Sequence, residues 1–346
     1  ILMSRELVRL GFDVTVFNNC KDKTSTDGIY DCVRYIDLED LKHVNETFDI
    51  VISSRTVIPF FPDYELDHAQ HLLEIFGINA ANKVKAVDFR HIVKNSKHRV
   101  VWLHDTFCSG DESLERLIVS GYINEAFVLS DWHSTYTMNS EHGPKRNFEV
   151  LKRNTFMTRN GMTRYHDEID ISKKDKNLFV YNASVTKGMV PLIENIWPKV
   201  KERLPDAKLK VIGGFYKFND ESPGDAQEQK FWELYHDNET KNLDIEFTGI
   251  IKQSEIADIL AKASHMIYPG TFPETFGIST LESLYYCTPL ITTRFGALEE
   301  TAVEDISYMI DYAIEPNGLF PHISFEHQVQ SFVERVVDVY NNPYLH

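Results

Sequence analysis

Two glutamates, Glu274 and Glu282, stand with seven residues between them in a segment that follows one strand-like run and leads into a helix-like one. Glu274 lies in the loop before the helix, where a carboxylate can accept hydrogen bonds from sugar hydroxyls. Backbone N–H groups of Phe276, Gly277 and Ile278 collect at the helix start. Free N–H groups combined with the helix dipole favour a bound diphosphate, and glycine permits close approach of the backbone.

A purely structural interpretation of this segment is also available. Ser279 and Glu282 have the spacing of a capping box, in which Ser279 caps the helix and Glu282 closes the first turn. Glu274 would then be a solvated carboxylate. Spacing alone does not choose between the two interpretations.

A lysine marks a second turn with chemical potential, between a predicted strand and the helix after it. Lys187 precedes Gly188 there, and a lysine in such a turn can neutralise a leaving diphosphate. The ordinary alternative is a surface lysine at a helix start, where the helix dipole disfavours a cation. That conflict with local preference favours a functional role for Lys187.

Other candidates follow predicted strands, where open α/β sheets bind their ligands. His104 and Asp105 end a strand-like run over 99–105, so His104 either faces a ligand or is only hydrogen-bonded at a strand end. Gly214 and Gly249 also end predicted strands. Glycine there lets a base or ribose approach the backbone, although ordinary turn glycines are the favoured interpretation.

The elements that must hold these residues alternate along the whole chain. Strand-like runs separated by helix-like stretches lie at 33–38, 48–54, 99–105, 125–130, 177–184 and 207–214, and further pairs follow up to residue 293. This alternation predicts an α/β fold with mostly parallel sheets, arranged as two doubly wound domains with a cleft between them. A polar segment near 155–176 interrupts the pattern, so we predict domains at 1–165 and 166–323, followed by an amphipathic helix in 324–346.

The chain opens on a helix-like stretch closed by Gly11, without the strand and glycine-rich turn that normally precede such a helix. We therefore expect the native chain to continue upstream.

Charge and composition limit the classes of partner. The 346 residues are 42% apolar and 25% charged, and 36 basic residues against 52 acidic ones give a net charge of −16. That field repels nucleic acid over most of the surface. The segment 82–99 carries six basic residues and one acidic residue, which indicates either a solvated helix face, the favoured interpretation, or contact with an anionic acceptor or membrane surface.

Several other chemistries lack their signatures. The four cysteines form no zinc-site spacing, and a reducing, cytoplasmic setting is the simplest account of them. There is no Asp-x-Asp pair of the kind that holds a metal, no GxGxxG after a strand and no GxSxG elbow. His68 and His71 suggest a surface pair rather than a metal site. No cofactor or metal is expected.

The E-x7-E segment resembles the signature of the retaining glycosyltransferases of family 4. The resemblance includes the Phe276-Gly277 pair within the interval and the later run from Gly296 to Thr301, where Glu300 best matches the family's later acidic position. It implies a GT-B fold, two Rossmann-like domains facing a central cleft, with the C-terminal helix packing back toward the N-terminal domain.

The resemblance also implies roles for individual residues. Glu274 would hold hydroxyls of the donor sugar, and Glu282 would hold the ribose hydroxyls of the nucleotide. Lys187 would contact the donor phosphates. His104 would contact the sugar or phosphate from the other side of the cleft. The family usually has an arginine a few residues before its lysine. This chain has none there, and a hydrogen bond from Ser184 would replace that contact.

The expected reaction moves a sugar from a nucleotide-sugar donor to a glycan, lipid-linked or protein acceptor. The resemblance implies retention of the anomeric configuration, and no metal is expected to take part. Two alternatives remain open: an epimerase or phosphorylase of the same fold, and a non-catalytic GT-B subunit that binds a nucleotide sugar or scaffolds an assembly. The missing arginine is the best support for the non-catalytic alternative.

Overall fold

A computed structural model describes residues 2–18, 28–61, 90–106, 113–138, 148–213, 226–312 and 325–342. The chain divides into two compact units. The first comprises Ile1–Leu129 and Ser134–Arg159, and the second comprises Ser130–His133 and Asn160–His346. Each unit is described by itself below.

Strands of the first unit form two hydrogen-bonded groups among the described residues. In one group β1 (Thr15–Asn18) lies parallel to β3 (Val33–Asp37), and β2 (Gly28–Tyr30) pairs antiparallel to β3 on its other side. The other group is fully parallel, in the order β4 (Ile50–Ser54), β5 (His98–Trp102), β6 (Glu125–Val128) and β7 (Thr155–Met157).

Helices of the first unit lie at Leu2–Arg9, Arg90–Lys94, Leu114–Val119 and Phe148–Asn154, and the helix Asp131–Met138 has its first three residues in the segment assigned to the second unit. The helix Leu114–Val119 packs its apolar side on the four-stranded sheet, with Leu117 fully buried beside Val101 and Ala126. The sheet and its helices thus alternate along the chain, as the sequence predicts for a Rossmann-like domain.

The second unit contains a six-stranded parallel sheet in the order β10-β9-β8-β11-β12-β13. In chain order these strands are β8 (Asp175–Asn182), β9 (Lys208–Ile212), β10 (Ile245–Gly249), β11 (Ala263–Tyr268), β12 (Leu290–Arg294) and β13 (Tyr308–Asp311). The strand order is 3-2-1-4-5-6, which is the doubly wound Rossmann arrangement. The order reverses between β8 and β11, so loops leave their carboxyl ends in opposite directions and open a crevice there.

Helices of the second unit lie at Met189–Pro191, Trp197–Arg203, Ala226–Lys241, Gln253–Lys262, Ile278–Tyr285, Leu298–Thr301 and Phe325–Asn341. The last helix buries its apolar face in the core of the second unit, and Phe332 and Val336 are fully buried. The amphipathic C-terminal helix of the sequence analysis is therefore present. No helix within the described ranges has the length and apolar character that crossing a membrane requires.

Some elements differ from the sequence-based prediction. The helix expected over 188–203 contains a π-helical segment, Leu192–Ile196, between two α-helical parts. Short strands β2, β7 and β13 were not predicted. The strand expected over 99–105 ends at Trp102, so His104 and Asp105 follow it by two or more residues. Helices expected near 64–76 and 82–95 lie outside the described residues except for Arg90–Lys94.

A candidate nucleotide-sugar site in the second unit

Two turns meet at the crevice where the strand order of the second unit reverses. The short helical turn Val185–Lys187 follows β8, and the loop beginning at Pro269 follows β11. Gly188 has φ of 128°, and a Cβ atom there would lie 2.2 Å from the carbonyl oxygen of Pro269. Only glycine fits this contact, which fixes Lys187 beside the β11 loop.

Lys187 and Glu274 form an ion pair in this crevice. The Nζ atom of Lys187 lies 2.7 Å from Oε1 of Glu274, and the same oxygen accepts a 2.6 Å hydrogen bond from the hydroxyl of Tyr268. Lys187 Nζ also lies 4.7 Å from the ring centre of Phe272. The sequence singled out Lys187 and Glu274 separately, and the structure brings them together.

The backbone around Glu274 is held by a second glycine contact. Gly296 has φ of 66°, and a Cβ atom there would lie 2.7 Å from both the nitrogen and the carbonyl oxygen of Glu274. The N–H of Ala297 donates a 2.8 Å hydrogen bond to that carbonyl. Close packing of the loop after β12 therefore fixes the loop that carries Glu274.

The helix Ile278–Tyr285 begins next to this loop, with Gly277 as its N-terminal cap at φ of 82°. The capping box predicted from Ser279 and Glu282 is wrong: Ser279 lies inside the first turn, and no side chain caps the helix. The reason is that the left-handed conformation of Gly277 starts the helix earlier than Ser279. Backbone N–H groups in a first helical turn lack intrahelical partners, so the segment 276–278 remains a suitable anion site.

Glu282 faces a pocket instead of the helix start. Its Oε2 accepts a 3.4 Å hydrogen bond from the amide of Asn182, and the amide of Gln253 donates to its Oε1. Burial raises the pKa of Glu282 from 4.5 to about 7, against the effect of these two hydrogen bonds. A carboxyl group with such a pKa changes its charge near neutral pH.

The pocket has a volume of about 290 Å³. Ser184, Gly213, Gln253, Ser279 and Glu282 supply polar atoms or exposed backbone, and apolar walls come from Ala183, Ile212, Ile250, Ile251, Ile256 and Ile278. Apolar walls with a few placed polar groups are typical of small-molecule sites. Ser184 also joins this pocket to the turn that carries Lys187.

Of the two glycines predicted to contact the nucleotide, Gly249 lies beside a residue that lines this pocket. Gly249 ends β10 at φ of 65°, and its carbonyl accepts a 3.1 Å hydrogen bond from the N–H of Gly213. Gly213 itself lines the pocket. Gly214 lies outside the described residues.

Glu300 makes contacts that the sequence analysis did not predict. Its two carboxylate oxygens accept hydrogen bonds of 2.9 Å and 2.6 Å from the backbone N–H groups of Asp131 and Trp132, at the start of the helix Asp131–Met138. Ser130 donates to the carbonyl of Thr275 at 2.8 Å. Glu300 therefore caps a helix in this structure, whereas its predicted contact with the donor remains untested.

His104 belongs to the first unit, apart from the residues above. Its ring packs at a tilt of 46° against that of Trp102, with 4.5 Å between ring centres, and the neighbouring Asp105 forms a 2.5 Å ion pair with Arg55. Burial and the nearby guanidinium of Arg55 lower the pKa of His104, whereas Asp105 opposes them. The lowered pKa favours the neutral form of the imidazole.

Sequence reasoning missed four residues that complete the site: Tyr268, Phe272, Asn182 and Gln253. In the sequence Tyr268 has the pattern of a core residue in an apolar strand, and no neighbouring residue distinguishes it from Tyr181. Gln253 opens its helix 29 residues before Glu282, so no spacing pattern joins the two. Within the part of the chain that the structure describes, no cluster of histidine, cysteine and carboxylate side chains has the composition of a metal site.

Comparison with known proteins gives three kinds of similarity. A family model described as Glycosyl transferases group 1 matches residues 162–343. A GDP-mannose-dependent alpha-(1-6)-phosphatidylinositol dimannoside mannosyltransferase of Mycobacterium tuberculosis (strain ATCC 25177 / H37Ra) is 35% identical over 94 residues. That match covers 27% of this chain and only 22% of the mycobacterial enzyme.

Solved structures resemble the chain at the level of the fold. The pneumococcal O-GlcNAc transferase GtfA in complex with UDP and GlcNAc has a TM-score of 0.53 at 13% identity, covering 82% of this chain and 55% of GtfA. Anabaena Alr3699/HepE in complex with UDP also has a TM-score of 0.53 at 13% identity, covering 90% of this chain and 77% of that one.

The family model matches more than half of the chain. The matched region includes the Lys187–Glu274 pair, the start of the helix Ile278–Tyr285 and the Glu282 pocket. The two Rossmann-like units and the solved structures agree on the architecture. This chain belongs to the Glycosyl transferases group 1 family and has its GT-B fold.

Proposed function

We propose that this chain is a retaining glycosyltransferase of the family 4 type, which transfers a sugar from a nucleotide-diphosphate-sugar donor to a hydroxyl group without a metal ion. The observation that carries the proposal is the placement of the Lys187–Glu274 pair at the crevice of the second unit, joined through Ser184 to the Glu282 pocket. Glu274 and Glu282 have the E-x7-E spacing of that family.

Each part of the site suits one part of such a donor. The pocket beside Glu282 holds the nucleoside, with ribose hydroxyls donating to the carboxylate and Gly249 close to the base. Lys187, Ser184 and the N–H groups of the segment 276–278 hold the diphosphate. Glu274 accepts hydrogen bonds from the sugar, and His104 contacts it from the first unit.

Transfer breaks the bond between the anomeric carbon of the sugar and the diphosphate oxygen. Negative charge grows on that oxygen, and Lys187 together with the start of the helix Ile278–Tyr285 stabilises it. The acceptor oxygen attacks from the same face and forms the new bond, while its proton passes to the leaving phosphate. This route retains the anomeric configuration.

Lys187 must change partners during binding. In the free protein its charge is balanced by Glu274 at 2.7 Å. A diphosphate brings more negative charge than one carboxylate, so the lysine moves to the phosphate and Glu274 becomes available to the sugar. A hydrogen bond from Ser184 to the phosphate takes the place of the contact that the missing arginine would make.

The acceptor is proposed from the chemistry named for relatives of this chain. The mycobacterial relative is named for GDP-mannose and a phosphatidylinositol dimannoside, and solved neighbours contain UDP. We propose a glycan, lipid-linked or protein hydroxyl as acceptor. Contact with a membrane surface through the basic segment 82–99 belongs to the same proposal, and residues 82–89 lie outside the described ranges.

Nucleotide binding and product analysis test the proposal in sequence. We would first measure thermal shifts with UDP, GDP, TDP, ADP and their common sugar conjugates, in buffer containing EDTA. A shift with one nucleotide family identifies the base. The bound sugar conjugate is then incubated with the protein, and NMR determines whether the anomeric configuration of the product matches that of the donor.

Glu274→Gln separates an enzyme from a non-catalytic subunit. The amide is nearly isosteric with the carboxylate but has no charge to balance Lys187, so nucleotide binding should persist while turnover falls at least about a hundredfold. Wild-type protein that binds a nucleotide sugar without turning it over would support the non-catalytic alternative. An inverted product, or a requirement for added metal, would refute the mechanism.

A further inference from the structure

Tyr268 is a buried tyrosine whose hydroxyl reaches the central carboxylate of the candidate site. It ends β11 with an exposed fraction of 1%, and its hydroxyl donates to Glu274 Oε1 at 2.6 Å. Its ring packs edge-on against Tyr181, with 6.0 Å between the ring centres. A ring enclosed in this way holds its hydroxyl in one place.

Both described donors to the Glu274 side chain use the same oxygen. Lys187 Nζ lies 2.7 Å from Oε1, and the Tyr268 hydroxyl lies 2.6 Å from it. The backbone of Glu274 is fixed as well, by the contact with Gly296 and the hydrogen bond from Ala297. The carboxylate is therefore oriented with Oε1 turned to the protein, which leaves Oε2 to accept from a ligand.

Lys187 and Tyr268, the two hydrogen-bond donors to Glu274, respond differently when a nucleotide sugar binds. Lys187 has a flexible side chain about one-third exposed, and a bound diphosphate competes for its charge. Tyr268 is enclosed, and no phosphate can draw its hydroxyl away. Once Lys187 moves, Tyr268 is the remaining side-chain contact that keeps Oε1 in place.

We propose that Tyr268 is a positioning residue, whose hydroxyl holds the Glu274 carboxylate toward the donor sugar after Lys187 has moved to the diphosphate. The catalytic consequence of this inference rests on the proposed function, whereas the orientation of Glu274 by the Tyr268 hydroxyl does not depend on it. A carboxylate that is oriented in advance needs no reorganisation as charge shifts in the transition state.

Loss of the Tyr268 hydroxyl should have different effects on kcat and on the KM for the nucleotide sugar. The pocket beside Glu282, to which the proposed function assigns the nucleoside, is not lined by Tyr268. Loss of the hydroxyl should therefore lower kcat while leaving the KM for the donor nearly unchanged. A purely structural role would lower the fraction of folded protein, which lowers the apparent kcat at an unchanged KM. The kcat is therefore expressed per folded protein, and a structural role predicts a wild-type value on that basis.

Tyr268→Phe removes only the hydroxyl, and Tyr286→Phe is the matched control. Tyr286 is also buried, with an exposed fraction of 2%, and its hydroxyl accepts from the backbone N–H of Tyr165 at 3.1 Å. Both variants lose one hydroxyl hydrogen bond, which is buried at Tyr268 and partly buried at Tyr286. They differ in whether that bond reaches Glu274.

Release of GDP from GDP-mannose and of UDP from UDP-glucose provides the assay. For a donor that the wild type turns over, we expect Tyr268→Phe to lower kcat about tenfold or more, with KM within about twofold, because hydrogen bonds to charged groups have this strength. Tyr286→Phe should keep the wild-type kcat. An unchanged kcat in folded Tyr268→Phe would overturn the proposal.

Crystal structures of the two variants, each combined with Lys187→Met so that the ion pair with Glu274 is absent, decide the geometric part without any turnover. With Tyr268→Phe we expect the Glu274 carboxylate to rotate so that Oε1 leaves its present position, whereas with Tyr286→Phe it should stay. A Glu274 side chain that is unmoved when both Lys187 and the Tyr268 hydroxyl are absent refutes the positioning role. If the wild type turns over neither donor, the enzymatic proposal fails for these donors, and the crystal structures still decide whether Tyr268 positions Glu274.

Discussion

Glu282 is a buried carboxyl group whose ionisation is coupled to folding. It is 9% exposed, and burial raises its pKa from 4.5 to about 7. Between these two values the folded protein holds a proton that the unfolded chain has lost. The free energy of unfolding therefore decreases as pH rises through that window, and the ionised form is the less stable one in the free protein.

Replacement of Glu282 by glutamine should remove this pH dependence. We expect the free energy of unfolding of the wild type to fall by about 2–3 kcal/mol relative to Glu282→Gln between pH 4.5 and 7.5, because the amide does not titrate. Urea unfolding at several pH values measures the difference. Parallel pH profiles for the two proteins would show that Glu282 is not the group responsible.

Nucleotide binding should have the opposite pH dependence at the same residue. In the proposed function ribose hydroxyls donate to the ionised carboxylate, so affinity should rise about tenfold from pH 6 to pH 8 as Glu282 loses its proton. The terminal phosphate of a nucleoside diphosphate also titrates near pH 6. The ratio of wild-type to Glu282→Gln affinity, measured by calorimetry, isolates the contribution of Glu282, and a constant ratio would contradict it.

At the scale of elements, the site depends on two loops that approach each other through glycine. Gly188 lies so close to Pro269 that a side chain has no room, and its φ of 128° disfavours any other residue. The turn bearing Lys187 and the loop bearing Glu274 are thereby held at a fixed separation. The ion pair is a consequence of this backbone contact.

Alanine at Gly188 should separate the two loops. We expect Gly188→Ala to lower the free energy of unfolding by about 2–5 kcal/mol, through backbone strain and the clash with Pro269, and to weaken binding of nucleotide sugars. Gly161→Ala is the control, because a Cβ atom there meets nothing within 4 Å. Its stability should change by less than about 1 kcal/mol. A Gly188→Ala protein as stable as this control would disprove the tight contact.

The elements best predicted from sequence are those with a long local pattern. The strands β8 and β11 contain the apolar runs Leu178–Tyr181 and Met266–Tyr268. The helix Phe325–Asn341 repeats its apolar residues at helical spacing. Strands β2 and β7 have only three residues each, which is too short to show a period. The turn before β3 has Asp31 and Cys32 at positive φ without glycine, so it carried no turn signal.

The candidate site was predictable only as separate residues. Lys187, Glu274 and Glu282 stand out by type and spacing, but their partners come from distant positions. Glu282 and Asn182 are 100 residues apart, and Glu300 and Trp132 are 168 residues apart. Such pairs depend on the tertiary structure, and a local sequence pattern contains no information about them.

At the scale of the whole molecule, the chain consists of two compact units. The Lys187–Glu274 pair and the Glu282 pocket lie entirely in the second unit, whereas His104 lies in the first. The nucleotide should therefore be bound by the second unit even where the acceptor requires the first. Each unit has its own buried core, which is the condition for separate unfolding transitions.

Calorimetry of the full chain should resolve two unfolding transitions, of which a nucleoside diphosphate raises only one. Ligand at one hundred times its dissociation constant adds about 2.7 kcal/mol to the unit that binds it. For a unit of this size that corresponds to a rise of about 5–10 °C in its midpoint. Glu282→Ala, which removes the ribose contact, should lose most of the rise and identifies the responsive transition as that of the second unit. An equal shift of both transitions would mean that the nucleotide contacts both units, and a shift that persists in Glu282→Ala would place it outside the pocket.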